Sequence, residues 1–388
     1  MGVAQISSVP ASGEIEEELC AQAEPDLYEA ALLVAILRGD APEITDGIDW
    51  NKLCDLATKN GVLAFVHDFL LEAGQEIPLS FMQAAKERRT HSARCADALR
   101  ALLVEFEKRE VDILPLKGPA LSLKLYGDAT LRQSNDLDLL VRGKDFARAE
   151  ALLTESGYRP HGTRNEYHRA FLRDGLVVEL HFRLSTSRNM PLNVEQMWRR
   201  VEKTEFLGAP ASAMRREDLA LYLCFHGLKH EFSRLIWILD IAQALRGWSS
   251  EEYKSLLELA RRQDLEQWLL IAFEMARTML PRHLPEELEA VISSSPLFES
   301  AQRTAAEIFS GKQVTAITDY RRFYLQTGRN RLKRWRYRFS LFTLTPADYA
   351  WAGRHKIDAR LAIAFRPLRL LRKYGVSGIY RMLFPPQG

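Results

Sequence analysis

Two carboxylates set inside an apolar run constrain this chain more than any other feature: Asn135-Asp136-Leu137-Asp138-Leu139-Leu140-Val141. A β-strand sends alternate side chains to opposite faces, so Asp136 and Asp138 share one face and Leu137 and Leu139 the other. Paired acids on a buried strand repel each other and lose hydration, and a divalent metal is the usual agent that offsets both costs. Taken alone, Asp-x-Asp could equally cap a turn or pair with arginines. The preceding stretch, from Ile113 through Lys117 and Gly118, has the pattern of a strand followed by a tight glycine turn. Pro119 suits the first turn of a short helix over 119–126, where its missing N–H costs nothing, and Gly127 can end that helix.

The rest of the chain supplies the frame. At 388 residues there is room for two or three domains, and 47% hydrophobic with 27% charged residues excludes wholesale disorder. The four cysteines (Cys20, Cys54, Cys95 and Cys224) form no Cys-x-x-Cys pair, which argues against a disulfide scaffold or a cysteine-rich zinc site. Neither a signal peptide nor a transmembrane run is evident, so the expectation is a soluble cytoplasmic protein.

Periodicity divides the chain into a disordered leader (1–25), an N-terminal helical region (26–110), a small α+β domain (111–190), a C-terminal helical domain (191–312) and a basic, aromatic-rich tail (313–388). Helices are expected over 27–38, over 50–73 with a break at Asn60-Gly61, and over 79–109. In the middle domain the strands are 111–116, 137–141, 168–173 and 177–184, the last two joined by a turn at Asp174-Gly175. From Leu192 onward the pattern is helical again, over 217–229, 235–246, 250–261, 265–280, 285–293 and 296–309. A third acid, Glu179, projects from the strand Val177-Val178-Glu179-Leu180-His181. If that strand lies beside the Asp136–Asp138 strand, three carboxylates converge, a donor set suited to Mg²⁺ or Mn²⁺ rather than zinc.

This order of glycine turn, short helix, Asp-x-Asp and later acid resembles the polymerase-beta-type nucleotidyltransferase superfamily. Leu116-Lys117-Gly118, Tyr126-Gly127-Asp128, Arg132 before Asp136-Leu137-Asp138, Glu179-Leu180-His181 and His226-Gly227-Leu228-Lys229-His230 resemble one branch more narrowly. That branch is a little-characterised bacterial family found near peptide-modification and exopolysaccharide genes. The resemblance implies an α+β fold in which a small nucleotidyltransferase sheet is embedded between helical regions. It implies transfer of a nucleoside monophosphate from an NTP such as ATP to an acceptor, with release of pyrophosphate. Asp136, Asp138 and Glu179 would be the catalytic metal ligands, and Lys117 and the Gly118 backbone would meet the triphosphate at the helix N-terminus. Two departures from the superfamily pattern stand out: Pro119 follows the turn glycine where a glycine or serine is usual, and the third acid is a glutamate.

Several residues keep two readings. Lys117 binds phosphate or pairs with a strand acid. Arg132 pairs with a phosphate or locks its loop onto an acid. Glu179 is a metal ligand or half of a salt bridge, and His181 contacts metal or acceptor or makes a structural hydrogen bond. His226 and His230, spaced i and i+4, have zinc geometry but no clear third ligand; with Arg234, Trp237 and Asp240 they would face a nucleotide or acceptor cleft. Trp237 stacks on a base or belongs to the core, and Arg234 and Asp240 could equally form an interdomain pair. A binding-only scaffold and a phosphotransferase using the same metal site are the rival functions. From Arg321 to the end there are sixteen Lys and Arg against two acids, with cation–aromatic alternation at 331–338. This tail suits nucleic acid, an anionic membrane surface or an acidic peptide, or is simply solvated; sequence-specific nucleic-acid binding is not expected.

Overall fold

The computed structural model describes residues 28–42, 44–45, 47–162, 167–184, 192–230, 232–277, 279, 284–295, 298, 301–302 and 359–383. The leader, the 331–338 alternation and most of the 296–309 helix lie outside the described residues.

Four helices come first: α1 (Tyr28–Arg38), α2 (Trp50–Lys59), α3 (Leu63–Glu72) and the 30-residue α4 (Leu79–Lys108). Asp49 caps α2 by accepting from the Asn51 and Lys52 amides, and Asn60 closes it at the expected break. The central region then runs β1 (Ile113–Pro115), α5 (Gly118–Tyr126), β2 (Asp136–Val141), α6 (Phe146–Glu155), β3 (Arg159–His161), β4 (His168–Arg173) and β5 (Leu176–His181). The strands form one sheet in the order β1-β2-β5-β4-β3. β2 and β5 are parallel neighbours, whereas β1–β2, β5–β4 and β4–β3 pair antiparallel. After α7 (Val194–Arg199) come β6 (Glu202–Phe206) and β7 (Ala209–Ala213), then α8 (Arg216–Lys229), α9 (Leu235–Ala244), α10 (Ser250–Gln263), α11 (Glu266–Arg277), α12 (Glu286–Ser293) and, far downstream, α13 (Ala359–Leu383), which is broken into two helical pieces at Gly375 (φ 67°).

Alternation along β2 and β5 separates two hydrophobic cores. Leu137, Leu139 and Val141 with Val178 and Leu180 face one core, built with the C-terminal half of α4 and with α6. Leu114, Leu116 and Leu140 join the other, which unites α1–α3 with α8–α12. α4 serves both: Phe81 and Ala85 lie in the helical core, and Leu99, Leu102, Leu103 and Phe106 lie under the sheet. Helices before and after the sheet thus share one core. Asn60 ties them directly, its Oδ1 accepting from the Leu235 amide (3.0 Å) and its carbonyl from the Ile236 amide (3.2 Å).

Three departures from the expected elements have local causes. β1 is shorter than 111–116 because the Val111 amide still belongs to the end of α4, donating to the Phe106 carbonyl (3.0 Å), while at the other end the Leu116 amide reaches the Asp138 carbonyl (2.9 Å) just past the strand. The β6–β7 hairpin interrupts the expected helical run, and Leu207 and Gly208 turn it with φ of 49° and 76°, the left-handed pair of a two-residue hairpin. Its second strand, Ala-Pro-Ala-Ser-Ala, has no β-branched or aromatic residue to announce it. β3 is a three-residue edge strand, too short for alternation to show.

Candidate active site

The parallel pairing of β2 with β5 sets Asp138 directly opposite Glu179, on the face that also carries Asp136 and His181. Carboxylate oxygens of Asp136, Asp138 and Glu179 lie within 4.8 Å of one another. The convergence required of the sequence is therefore present. Asp138 is buried, while Asp136 and Glu179 are half-buried and reach solvent.

Two cationic groups attend this acidic trio. Lys117 Nζ is 2.9 Å from Asp138 Oδ2, and His181 Nε2 is 3.1 Å from Asp138 Oδ1 and 3.3 Å from Glu179 Oε2. Burial opposes ionisation of Asp138, yet Lys117 and His181 together hold its carboxyl far below the usual range. The His181 hydrogen bond likewise lowers Glu179. Burial opposes the charged forms of Lys117 and His181, but the acids outweigh it and raise both. Asp136 lacks such a partner at hand: burial first, then the neighbouring Asp138 charge, pushes its carboxyl up to about 6. A hard divalent cation suits this donor set, all oxygen and carrying more negative charge than Lys117 and His181 relieve. Of the two readings of Lys117, the pairing with a strand acid is the one present here.

The Lys117–Gly118 turn follows from its sequence. Lys117 is extended and caps α5, Gly118 opens the helix with φ +69°, which disfavours any residue with a Cβ, and Pro119 sits in its first turn. The free end of α5 therefore begins against β2, where a Cβ on Gly118 would lie 3.5 Å from the Asp136 carbonyl oxygen.

Arg132 and Asp240 meet, but in the protein interior. Arg132 Nε donates to Asp240 Oδ1 and Oδ2 (3.1 and 2.9 Å), both side chains are buried, and the Tyr126 hydroxyl donates to Asp240 Oδ1 (2.9 Å). Arg132 thus locks the loop before β2 onto α9, the second of its two readings, and Asp240 pairs with Arg132 rather than with Arg234. Arg89 holds the same loop through Asp128 and Thr130, at 2.8 and 2.9 Å.

On α8 and α9, His226, His230 and Trp237 form a ring cluster, with centroids 4.7 Å apart for the histidines and 5.5 and 5.1 Å from each to Trp237. Gly227 makes the α8–α9 corner possible, because a Cβ there would stand 2.4 Å from the Phe232 ring. Arg234 lies over the half-buried Trp237 ring at 5.7 Å. Burial, with Lys117 and His230 nearby, depresses His226 well below its ordinary value. Burial followed by Lys229, Lys117 and Arg234 brings His230 to about 4. Among the described residues these two histidines belong to no set of three metal-ligating side chains.

Three site residues carried no role in the sequence reading. His168 on β4 pairs in register with His181, and its Nε2 is 3.7 Å from Glu179 Oε1. Tyr167 stacks near His181, and Lys229 lies over the Tyr167 ring at 5.1 Å. Counting back from the Asp174-Gly175 turn would have placed His168 opposite His181; nothing in the sequence marked Tyr167.

A five-stranded mixed sheet between helices, with acids from adjacent parallel strands, defines the class: an α+β nucleotidyltransferase fold. A family model described as an uncharacterised nucleotidyltransferase matches residues 46–281, well over half the chain. The chain belongs to this nucleotidyltransferase family. Among solved structures it is similar to ANT(2")-Ia in complex with adenylyl-2"-tobramycin, at 13% identity over 44% of this chain and 98% of that one, with a TM-score of 0.34. It is also similar to an antigenic nucleotidyltransferase-like protein from Paracoccidioides brasiliensis, at 20% identity over 45% and 91% of the two chains, with a TM-score of 0.31. No curated protein matches this chain.

Proposed function

We propose that this nucleotidyltransferase moves a nucleoside monophosphate from an NTP to a hydroxyl or similar acceptor on a small molecule, peptide or glycan, releasing pyrophosphate. The observation that carries the reading is Asp138 opposite Glu179 with Asp136 within 4.8 Å. Asp136, Asp138 and Glu179 would hold Mg²⁺ or Mn²⁺, which supplies charge neutralisation at the triphosphate and a lowered pKa at the acceptor hydroxyl. The residues themselves position the reactants. Lys117 moves from Asp138 to the triphosphate once the acids are neutralised, and the free amides opening α5 face the same charge. His226, His230, Trp237 and Arg234 offer an aromatic and cationic wall to the base or acceptor. Arg132 and Asp240 hold the β2 loop from below.

The test is incubation with each labelled NTP, Mg²⁺ and cell extract, followed by mass analysis of the labelled product. A nucleotidyl mass gain lost in Asp138→Asn supports the reading. A phosphoryl gain would assign a phosphotransferase, and no gain with intact NTP binding would assign a binding-only protein.

A further inference from the structure

We infer that His168, Glu179 and His181 form a second cation site of mixed nitrogen and oxygen donors, suited to a borderline divalent ion such as Co²⁺, Ni²⁺ or Zn²⁺ rather than Mg²⁺. The β4–β5 ladder places His168 opposite His181 and Ala170 opposite Glu179, so all three donors rise from one face of two adjoining strands. One ligand atom from each lies within 4.8 Å of the others. His168 Nε2 is 3.7 Å from Glu179 Oε1, and His181 Nε2 is 3.3 Å from Glu179 Oε2. Ligands bound tetrahedrally at about 2.0–2.1 Å stand roughly 3.3–3.4 Å apart, so the two histidine–carboxylate distances are already within a few tenths of an ångström of that spacing, and the two rings, with centroids 4.9 Å apart, turn to bring their nitrogens to it. His181 is buried and its ring is held by two acids, whereas His168 and Glu179 are half-buried and in part exposed to solvent. His181 Nε2 faces both acids; as a ligand the imidazole would keep its proton on Nδ1, release any Nε2 proton to solvent and present the Nε2 lone pair to the ion. Imidazole nitrogens favour borderline ions over Mg²⁺, which separates this set chemically from the all-oxygen trio beside it.

The inference rests on the proposed function only through Glu179, which both sets share. Asp136 belongs to the acidic trio alone and His168 to the mixed set alone, so the two can be tested apart. The full-length chain is titrated with Co²⁺ alone and followed by visible absorption, where nitrogen-ligated, low-coordinate Co²⁺ absorbs far more strongly than octahedral all-oxygen Co²⁺. The wild type should show the strong band, Asp136→Asn should keep it, and His168→Ala and His168→Gln should each lose it or weaken binding about tenfold or more with unchanged circular dichroism. The inference is overturned if both His168 variants keep the band, if the wild type shows none, or if Asp136→Asn abolishes it. A band that survives in Asp136→Asn while no Asp136-dependent nucleotide transfer is found would instead overturn the function and leave this site standing.

Discussion

Asp138 is the residue on which the site turns, because it touches Lys117, His181 and the Asp136 charge together. Asp138→Asn keeps its shape and removes its charge. Mg²⁺-dependent nucleotide incorporation should fall by about 10²-fold or more, with little change in circular dichroism; retained turnover would remove Asp138 from the chemistry. Lys117→Ala should weaken NTP binding by roughly tenfold, the scale of one charge-assisted hydrogen bond. An unchanged calorimetric Kd would leave Lys117 as a partner for Asp138 only. Asp136 gives the site its pH dependence. With its folded value raised to about 6, the metal-free chain takes up this proton more readily than the unfolded chain. Its contribution to stability is therefore complete below its unfolded value, about pH 4, and is lost as pH rises through about 6. A divalent cation competes with that proton, so the Tm gain from Mg²⁺ should be small near pH 5 and grow between about pH 6 and 7. Scanning calorimetry with and without Mg²⁺ checks this; an equal gain across that range would contradict it.

At the scale of elements, placement depends on two devices of different visibility. The first is strand alternation. It put Asp136 and Asp138 on one face of their strand and Glu179 on one face of its own, and the parallel β2–β5 pairing, which the sequence left as a condition, brings the two faces together. The second is the buried clamp under β2, where Arg132 and Asp240 lie 108 residues apart in the chain. No local pattern pairs residues at that separation, so the sequence left each with several partners. The β6–β7 hairpin was hidden for another reason: its strands carry weak β-propensity and are fixed by tertiary packing of Phe206, Ala209 and Ala211. Removing one end of the clamp should be costly. Asp240→Ala leaves the Arg132 guanidinium buried and unpaired, a loss of about 3–5 kcal/mol, measurable by urea unfolding. If the variant unfolds at the wild-type midpoint, the clamp contributes nothing to stability.

The whole molecule joins a shared helical core and a sheet core to a downstream helix of different character. Among the described residues no helix is long and apolar enough to cross a membrane. α13 nonetheless contains Arg360, Arg366, Arg369, Arg372, Lys373 and Arg381 and no acid. Leu368 and Val376 on it are 70% and 73% exposed, and Leu371 is 44% exposed. A cationic helix that leaves aliphatic side chains in water has the composition of an interfacial element, whose affinity grows with buried apolar area and anionic lipid content. Each Lys or Arg near such a surface contributes about 1 kcal/mol. Asp136, Asp138, Glu179, Lys117 and His181 all lie in the 111–190 region, so chemistry and surface attachment should separate. Deleting the chain after about Phe342 should abolish sedimentation with vesicles rich in phosphatidylserine while nucleotide transfer in solution persists. Added salt should weaken the wild-type association, because exposed charges are screened over about 10 Å at 0.1 M. Equal sedimentation of the full and shortened chains would remove the tail from membrane attachment, and loss of transfer on deletion would make it part of the catalytic fold.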